Sequence, residues 1–189
     1  MELKKPMFDG KKSLEKCIYE RKSLRNFKNK KIEIEKLSQL LWVAQGIKNS
    51  NRTVPSAGAT YPLEIYVNLK KQGLYHYDIR THSLDQKIDE DIAYDLATAA
   101  LGQMFINDAP INFIICADYS KITKRYGERG IRYVHMEVGH CAQNIHLEAE
   151  ALDLVSVPIG AFKDVEVKQI LNLSEPIEAL YIIPVGYPK

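Results

Sequence analysis

Between residues 35 and 45 the apolar positions Leu37, Leu40, Leu41 and Ala44 recur at three- and four-residue steps, the helical period, and Gly46 supplies a stop. The same period returns at Ile131, Val134, Val138, Cys141, Ile145, Ala149 and Leu152. It persists for about six turns and predicts a long central helix over residues 130–154. Two β-type runs, 63–69 and 74–79, flank Lys70-Lys71-Gln72-Gly73 and read as a hairpin or meander. The nearly continuous apolar run Ile111-Asn112-Phe113-Ile114-Ile115-Cys116-Ala117 is expected in the centre of a sheet, covered on both faces. A helix at 89–101, strands at 155–159 and 180–186 and a short helix at 165–171 complete an α+β pattern in one expected domain, 1–189.

Two stretches lack a period. Residues 49–62 hold Asn, Ser, Thr, Gly and two prolines, so a long loop is expected, and long ordered loops are often binding loops. Residues 1–34 are basic and polar with short apolar islands such as Cys17-Ile18-Tyr19, and read as surface or ligand-facing chain.

Composition narrows the classes. A hydrophobic content of 46% in 189 residues suits a globular chain with a real core. No apolar run approaches the roughly 18 residues of a membrane span, and the charged start lacks a signal-peptide stretch, so a cytoplasmic protein without membrane partners is expected. Net charge +2 with a pI near 8.3 is too mild to argue for nucleic acid. Cys17, Cys116 and Cys141 are too widely spaced for a paired redox or metal motif and are expected to be buried, reduced thiols. His135, His140 and His146 share the long helix but miss the spacing that aligns metal ligands, so no metal is expected.

Three segments carry candidate chemistry. Arg21-Lys22-Ser23-Leu24-Arg25 places three cations and a hydroxyl within five residues, which suits a phosphate. By itself it is also what a solvated basic turn looks like. In Pro55-Ser56-Ala57-Gly58-Ala59-Thr60-Tyr61-Pro62 small residues let backbone approach a flat ligand, and no Gly-Lys-Ser/Thr follows to make it a nucleotide phosphate loop. Val157-Pro158-Ile159-Gly160-Ala161-Phe162 closes a predicted strand, where exposed N–H groups can point at a ligand.

Taken together and in this order, the segments resemble the nitroreductase superfamily, with its N-terminal Arg-x-Ser-x-Arg/Lys, Pro-Ser loop and Pro-Ile-x-x-Phe after the long helix. Further segments are similar to its SagB-type branch: Leu40-Leu41-Trp42, Ala59 to Tyr66, Gly73-Leu74-Tyr75-His76-Tyr77, Tyr126-Gly127-Glu128-Arg129-Gly130, Glu137-Val138-Gly139-His140 and Gln143-Asn144. The resemblance implies a nitroreductase fold, a mostly antiparallel mixed sheet flanked by helices around a long central helix, in an intertwined homodimer with FMN at the interface.

By that likeness Arg21, Lys22, Ser23 and Arg25 bind the cofactor: Arg21 and Ser23 hold phosphate, and Arg25 sits by the pyrimidine edge of the flavin, where a cation favours the reduced form. Pro55, Ser56, Ala57 and Gly58 match the loop that arrives from the partner subunit. Pro158, Ile159, Gly160 and Ala161 match the segment whose Gly160 N–H approaches flavin N5, and Gln103 matches a ring-edge contact. Lys189 is the candidate for the family's C-terminal phosphate cation. No side chain is expected to carry the chemistry, which belongs to the flavin.

The implied activity is a two-step hydride transfer from NADH or NADPH through FMN to a small organic acceptor of the quinone or nitroaromatic type. Where many nitroreductases carry Glu-Gly, this chain has Gly160-Ala161, which removes a carboxylate and leaves acceptor preference open. The SagB likeness implies an alternative, an azoline dehydrogenase acting on a modified peptide with a partner protein. Against it, Lys124-Arg125-Tyr126 departs from that branch's Lys-Tyr pair. A non-catalytic FMN-binding or sensing protein is a third reading. The basic run Lys121, Lys124, Arg125, Arg129 and Arg132 reads as a solvated helix face, and Glu137, Gln143 and Asn144 as solvent-facing or neighbour-capped.

Overall fold

We analysed a computed structural model that describes residues 1–189. In chain order the elements are α1 (Leu14–Glu20), α2 (Ile34–Gln45), β1 (Ile47–Lys48), β2 (Asn51–Arg52), a turn of 3-10 helix (Ala57–Ala59), β3 (Leu63–Leu69), β4 (Gly73–Asp78) and β5 (Ser83–Ile88). There follow α3 (Ala93–Ala99), α4 (Phe105–Asp108), β6 (Ile111–Asp118), α5 (Ser120–Tyr126), α6 (Arg129–Ala151), β7 (Val155–Ser156), α7 (Asp164–Ile170) and β8 (Ile177–Gly186).

Six strands form one sheet in the order β5-β4-β3-β6-β8-β7, every neighbouring pair antiparallel. The parallel element is a single bridge, Ser23 to Ser156, at the β7 edge. β6 lies inside, in register with β3 from Leu63↔Ala117 to Leu69↔Ile111, and its first seven residues are buried. Strand alternation then divides the core. Ile111, Phe113, Ile115 and Ala117 join Leu40 and Leu41 of α2 and Val134, Val138 and Cys141 of α6 on one face. Ile114 and Cys116 meet Leu96 and Ala97 of α3, Ile106 of α4 and Val167 of α7 on the other. Each fully buried Leu or Ile in these layers contributes about 1.5–3 kcal/mol, more than the roughly 0.7 kcal/mol separating ordinary helix propensities, so packing sets where the helices lie.

The mostly antiparallel sheet flanked by helices around a long helix, expected from the sequence, is present, with its hairpin and central strand. Beyond α4, which no period marked, and β7, two residues long where five were expected, three regions differ from the expectation. Residues 1–34 are not all surface: α1 forms over Leu14–Glu20, capped by the Ser13 hydroxyl, which accepts from Lys16 N at 3.2 Å, and Cys17, Phe27 and Ile32 are buried. β5 went unread because Asp85-Gln86-Lys87 is exposed, as an edge strand allows. The 49–62 loop contains the small β1–β2 hairpin and the 3-10 turn. All three cysteines are buried and free.

Candidate functional site

The N-terminal motif starts where α1 stops. Arg21 caps α1, its N–H bonded to Cys17 O at 3.0 Å, and the chain then runs extended beside β7, with Leu24 N donating to Ser156 O at 3.2 Å. Phe27 ends this stretch as an anchor, 4% exposed, packed so closely on Gly186 that a Cβ there would come within 2.8 Å of its ring. The C-terminal segment lies alongside: Lys28 N donates to Tyr187 O at 2.9 Å and Lys189 N to Asn26 O at 3.3 Å.

β7 also delivers the second segment. Ile159 is buried and exchanges two backbone hydrogen bonds with Ile182, at 2.8 and 3.0 Å, which leaves Gly160 and Ala161 exposed just beyond. Neither of their N–H groups is bonded within the chain. Gln103 joins this segment, its Nε2 donating to Ala161 O at 3.1 Å and Ala100 O at 2.9 Å. Arg25 reaches the same neighbourhood, its guanidinium 5.7 Å from the centre of the Phe105 ring.

Residues 21–25, Gln103, 158–161 and the backbone of Lys189 are therefore brought to one side of the molecule. Arg21, Lys22 and Arg25 pair with no carboxylate, and the Ser23 hydroxyl bonds to nothing in the chain. Cations without carboxylate partners on the same side as free N–H donors are the donor set that an anion would need.

The loop at 55–58 is held elsewhere. Ser56 Oγ accepts from Tyr61 N at 2.9 Å, Arg125 Nη1 donates to Gly58 O at 3.1 Å, and Ala57 packs on the α2/α6 core. Gly58 has φ +60°, and a Cβ there would lie 2.6 Å from Tyr126 Oη. No hydrogen bond or ion pair joins this loop to residues 21–25 or 158–161, and Val157 and Ile159 belong to the opposite core layer. Within the basic run of α5, Arg125 thus has a structural task, and Lys121 pairs with Glu64, which also meets His76 Nε2 at 2.8 Å. Two of the SagB-like segments contribute this half-buried Glu64–His76 contact.

Two buried groups escaped the sequence reading. Glu137, read as solvent-facing or capped, is 2% exposed: Gln45 Nε2 donates to its Oε1 at 3.1 Å, while Glu137 Oε2, Gln45 Oε1 and Arg52 Nη1 have no partner. Burial pushes the Glu137 carboxyl above the ordinary range, against the pull of Ser56, Gln45 and Arg52. The signal was its register, since position 137 lies three residues after Val134 and four before Cys141, inside the apolar stripe. The second is His146, whose Nδ1 meets Ser156 Oγ at 2.6 Å and whose Nε2 is buried without a partner. Burial, then the nearby Arg21 charge, holds this imidazole down to about 4, so it is neutral beside the cations.

The profile of the Nitroreductase family matches residues 18–187, a span that contains every segment above except Lys189. The chain belongs to the nitroreductase family. A nitroreductase-family protein of Methanocaldococcus jannaschii is 46% identical over 180 residues, covering 92% of this chain and 90% of that one. The trifolitoxin operon protein TfxC of Rhizobium leguminosarum bv. trifolii is 24% identical over 192 residues, covering 89% of this chain and 54% of its own length. Among solved structures, a nitroreductase-like protein of Ralstonia eutropha superposes with a TM-score of 0.90 at 26% identity, over 99% of this chain and 88% of that one. This nitroreductase-family chain has no helix long and apolar enough to cross a membrane.

Proposed function

We propose that this oxidoreductase uses FMN, takes hydride from NADH or NADPH and passes it to a small organic acceptor of the quinone or nitroaromatic type. The observation that carries the reading is the pairing of residues 21–25 with β7. It sets three cations without carboxylate partners beside the unbonded N–H groups of Gly160 and Ala161. That donor set fits a flavin phosphate and an electron-rich ring edge, so the residues present suit the cofactor.

Arg21, Lys22 and Ser23 bind the phosphate, with Lys189 closing that side. Arg25 holds charge at the pyrimidine edge, and Gln103, tied to Ala161 O, orients the segment 158–161. Pro158 and Ile159 set Gly160 just past the antiparallel bridge of Ile159 to Ile182, where its N–H serves the flavin ring. FMN, when bound, supplies the hydride-accepting and hydride-donating centre; the chain supplies binding, orientation and exclusion of water. Pro55, Ser56, Ala57 and Gly58, held apart from these groups in one chain, serve the site of a second copy in a homodimer.

A second reading, an azoline dehydrogenase working on a modified peptide with a partner protein, is favoured by one observation, the likeness to the trifolitoxin operon protein. One experiment separates the two. Purified protein carrying FMN is mixed anaerobically with NADH or NADPH and then with a quinone or nitroaromatic. Bleaching followed by reoxidation, with no other protein present, is the expected outcome. Bound FMN that neither nucleotide reduces would move the assignment to the peptide oxidase or to a flavin sensor.

A further inference from the structure

A cavity of about 590 Å³ opens where the N-terminal end of α2 meets the β3–β4 turn and the start of β6, and no residue of 21–25, 103 or 158–161 lines it. The volume lies within the range of about 300–1,000 Å³ that small-molecule sites occupy. Ile32, Leu37, Leu69 and Ile111 close its back and are almost wholly covered, at most 4% exposed; the apolar surface open to a ligand is that of Met1, 48% exposed, the half-buried Ile34 and the lysine stems.

The rim decides the sign of the ligand. Lys30, Lys31, Lys70 and Lys71 all line the cavity, and no aspartate or glutamate does. Two of the four are committed: Lys30 pairs with Glu33 at 3.4 Å and lies 3.9 Å from the Tyr187 ring centre, and Lys70 donates to Asn107 O at 2.9 Å. The ammonium groups of Lys31 and Lys71 have no hydrogen bond or ion pair, and they come from opposite walls, one from the approach to α2 and one from the β3–β4 turn. An ammonium is a point charge that does not demand the planar, two-pronged acceptor that Arg prefers.

We propose that this cavity is a second ligand site, which takes a small organic acid with an apolar body, a medium-chain carboxylate, its tail against Met1, Ile34 and the lysine stems and its carboxylate between Lys31 and Lys71. The site is independent of the flavin reading, since it shares no residue with that cradle. The two free lysines are exposed, so replacing them leaves the core intact.

The test is calorimetric titration of the whole protein with decanoate below its aggregation concentration. Decan-1-ol, acetate and vesicles of mixed phosphatidylcholine and phosphatidylglycerol are run beside it, on wild type and on K31E/K71E. Saturable binding of one decanoate per chain is expected, with affinity roughly tenfold lower in K31E/K71E and weaker binding of both the alcohol and acetate. No saturable binding, an affinity indifferent to the charge reversal, or decan-1-ol binding as tightly as decanoate would each overturn the proposal. Vesicle binding lost in K31E/K71E without binding of free decanoate would overturn it too, in favour of a membrane surface.

Discussion

Gln45 Nε2 donates to Glu137 Oε1 at 3.1 Å across the α2–α6 interface, and Glu137 Oε2 and the Gln45 amide oxygen are both buried without a partner. Water cannot reach this pair freely, so the cost of ionising Glu137 falls on the fold. Its folded pKa lies above the unfolded value. The native state therefore binds the proton more tightly, and stability is lost as pH rises from the unfolded pKa through the folded one. Glu137→Gln keeps a hydrogen-bonding amide and removes the charge. Denaturant midpoints at pH 5 and pH 8 should show wild type losing more stability than the variant. An equal loss in both would place the ionisation elsewhere.

His146 has the opposite dependence. Its pKa is lowered in the fold to about 4 from an ordinary 6.5. The unfolded chain binds the proton first as pH falls, and the fold loses up to about 3 kcal/mol between pH 6.5 and 4. His146→Gln should flatten that part of the stability curve while the carboxylates' contribution stays in both proteins. Parallel curves would contradict the assignment.

Gly186 is a packing prediction. A Cβ there would meet Phe27 and Pro110, both at 2.8 Å, and neither ring can swing away as a flexible chain end would. Overpacking of this kind costs about 1–3 kcal/mol. Gly186→Ala should lower the thermal midpoint and, by shifting Phe27, weaken FMN binding, read by fluorescence quenching. An unchanged midpoint would mean that Phe27 does not anchor the motif.

Arg21 and Arg25 should be distinguishable by ligand. If Arg21 binds phosphate, Arg21→Ala loses one charge-assisted contact of about 1.5–3 kcal/mol, or roughly ten- to a hundredfold in FMN affinity. Riboflavin, which has no phosphate, should bind the variant as it binds wild type. Arg25→Ala should weaken both ligands alike.

Much of this was legible in the sequence, and the reasons are local. α2, β3, β6 and α6 announced themselves because their buried positions keep one period. β5 did not, since Asp85, Gln86 and Lys87 face solvent, and α1 did not, since Cys17 is its one buried side chain. Arg21 to Arg25 and Gly160 stood out through the joint order of three motifs, each weak alone. Glu137 was lost because a carboxylate on a helix suggests solvent, although its place in the apolar stripe put it inside. The spacing of His146 from His135 and His140 speaks only to metal ligation, and its contact with Ser156 depends on how α6 packs on β7, which no local pattern encodes.

The central claim is that the surface formed by residues 21–25, Gln103 and 158–161 is a flavin site. Titrating the flavin-free protein with FMN while following flavin fluorescence tests it most directly. The account predicts saturable quenching at one FMN per chain, weakened by Arg21→Ala; a protein that never quenches FMN, or binds it equally well without Arg21, would contradict it.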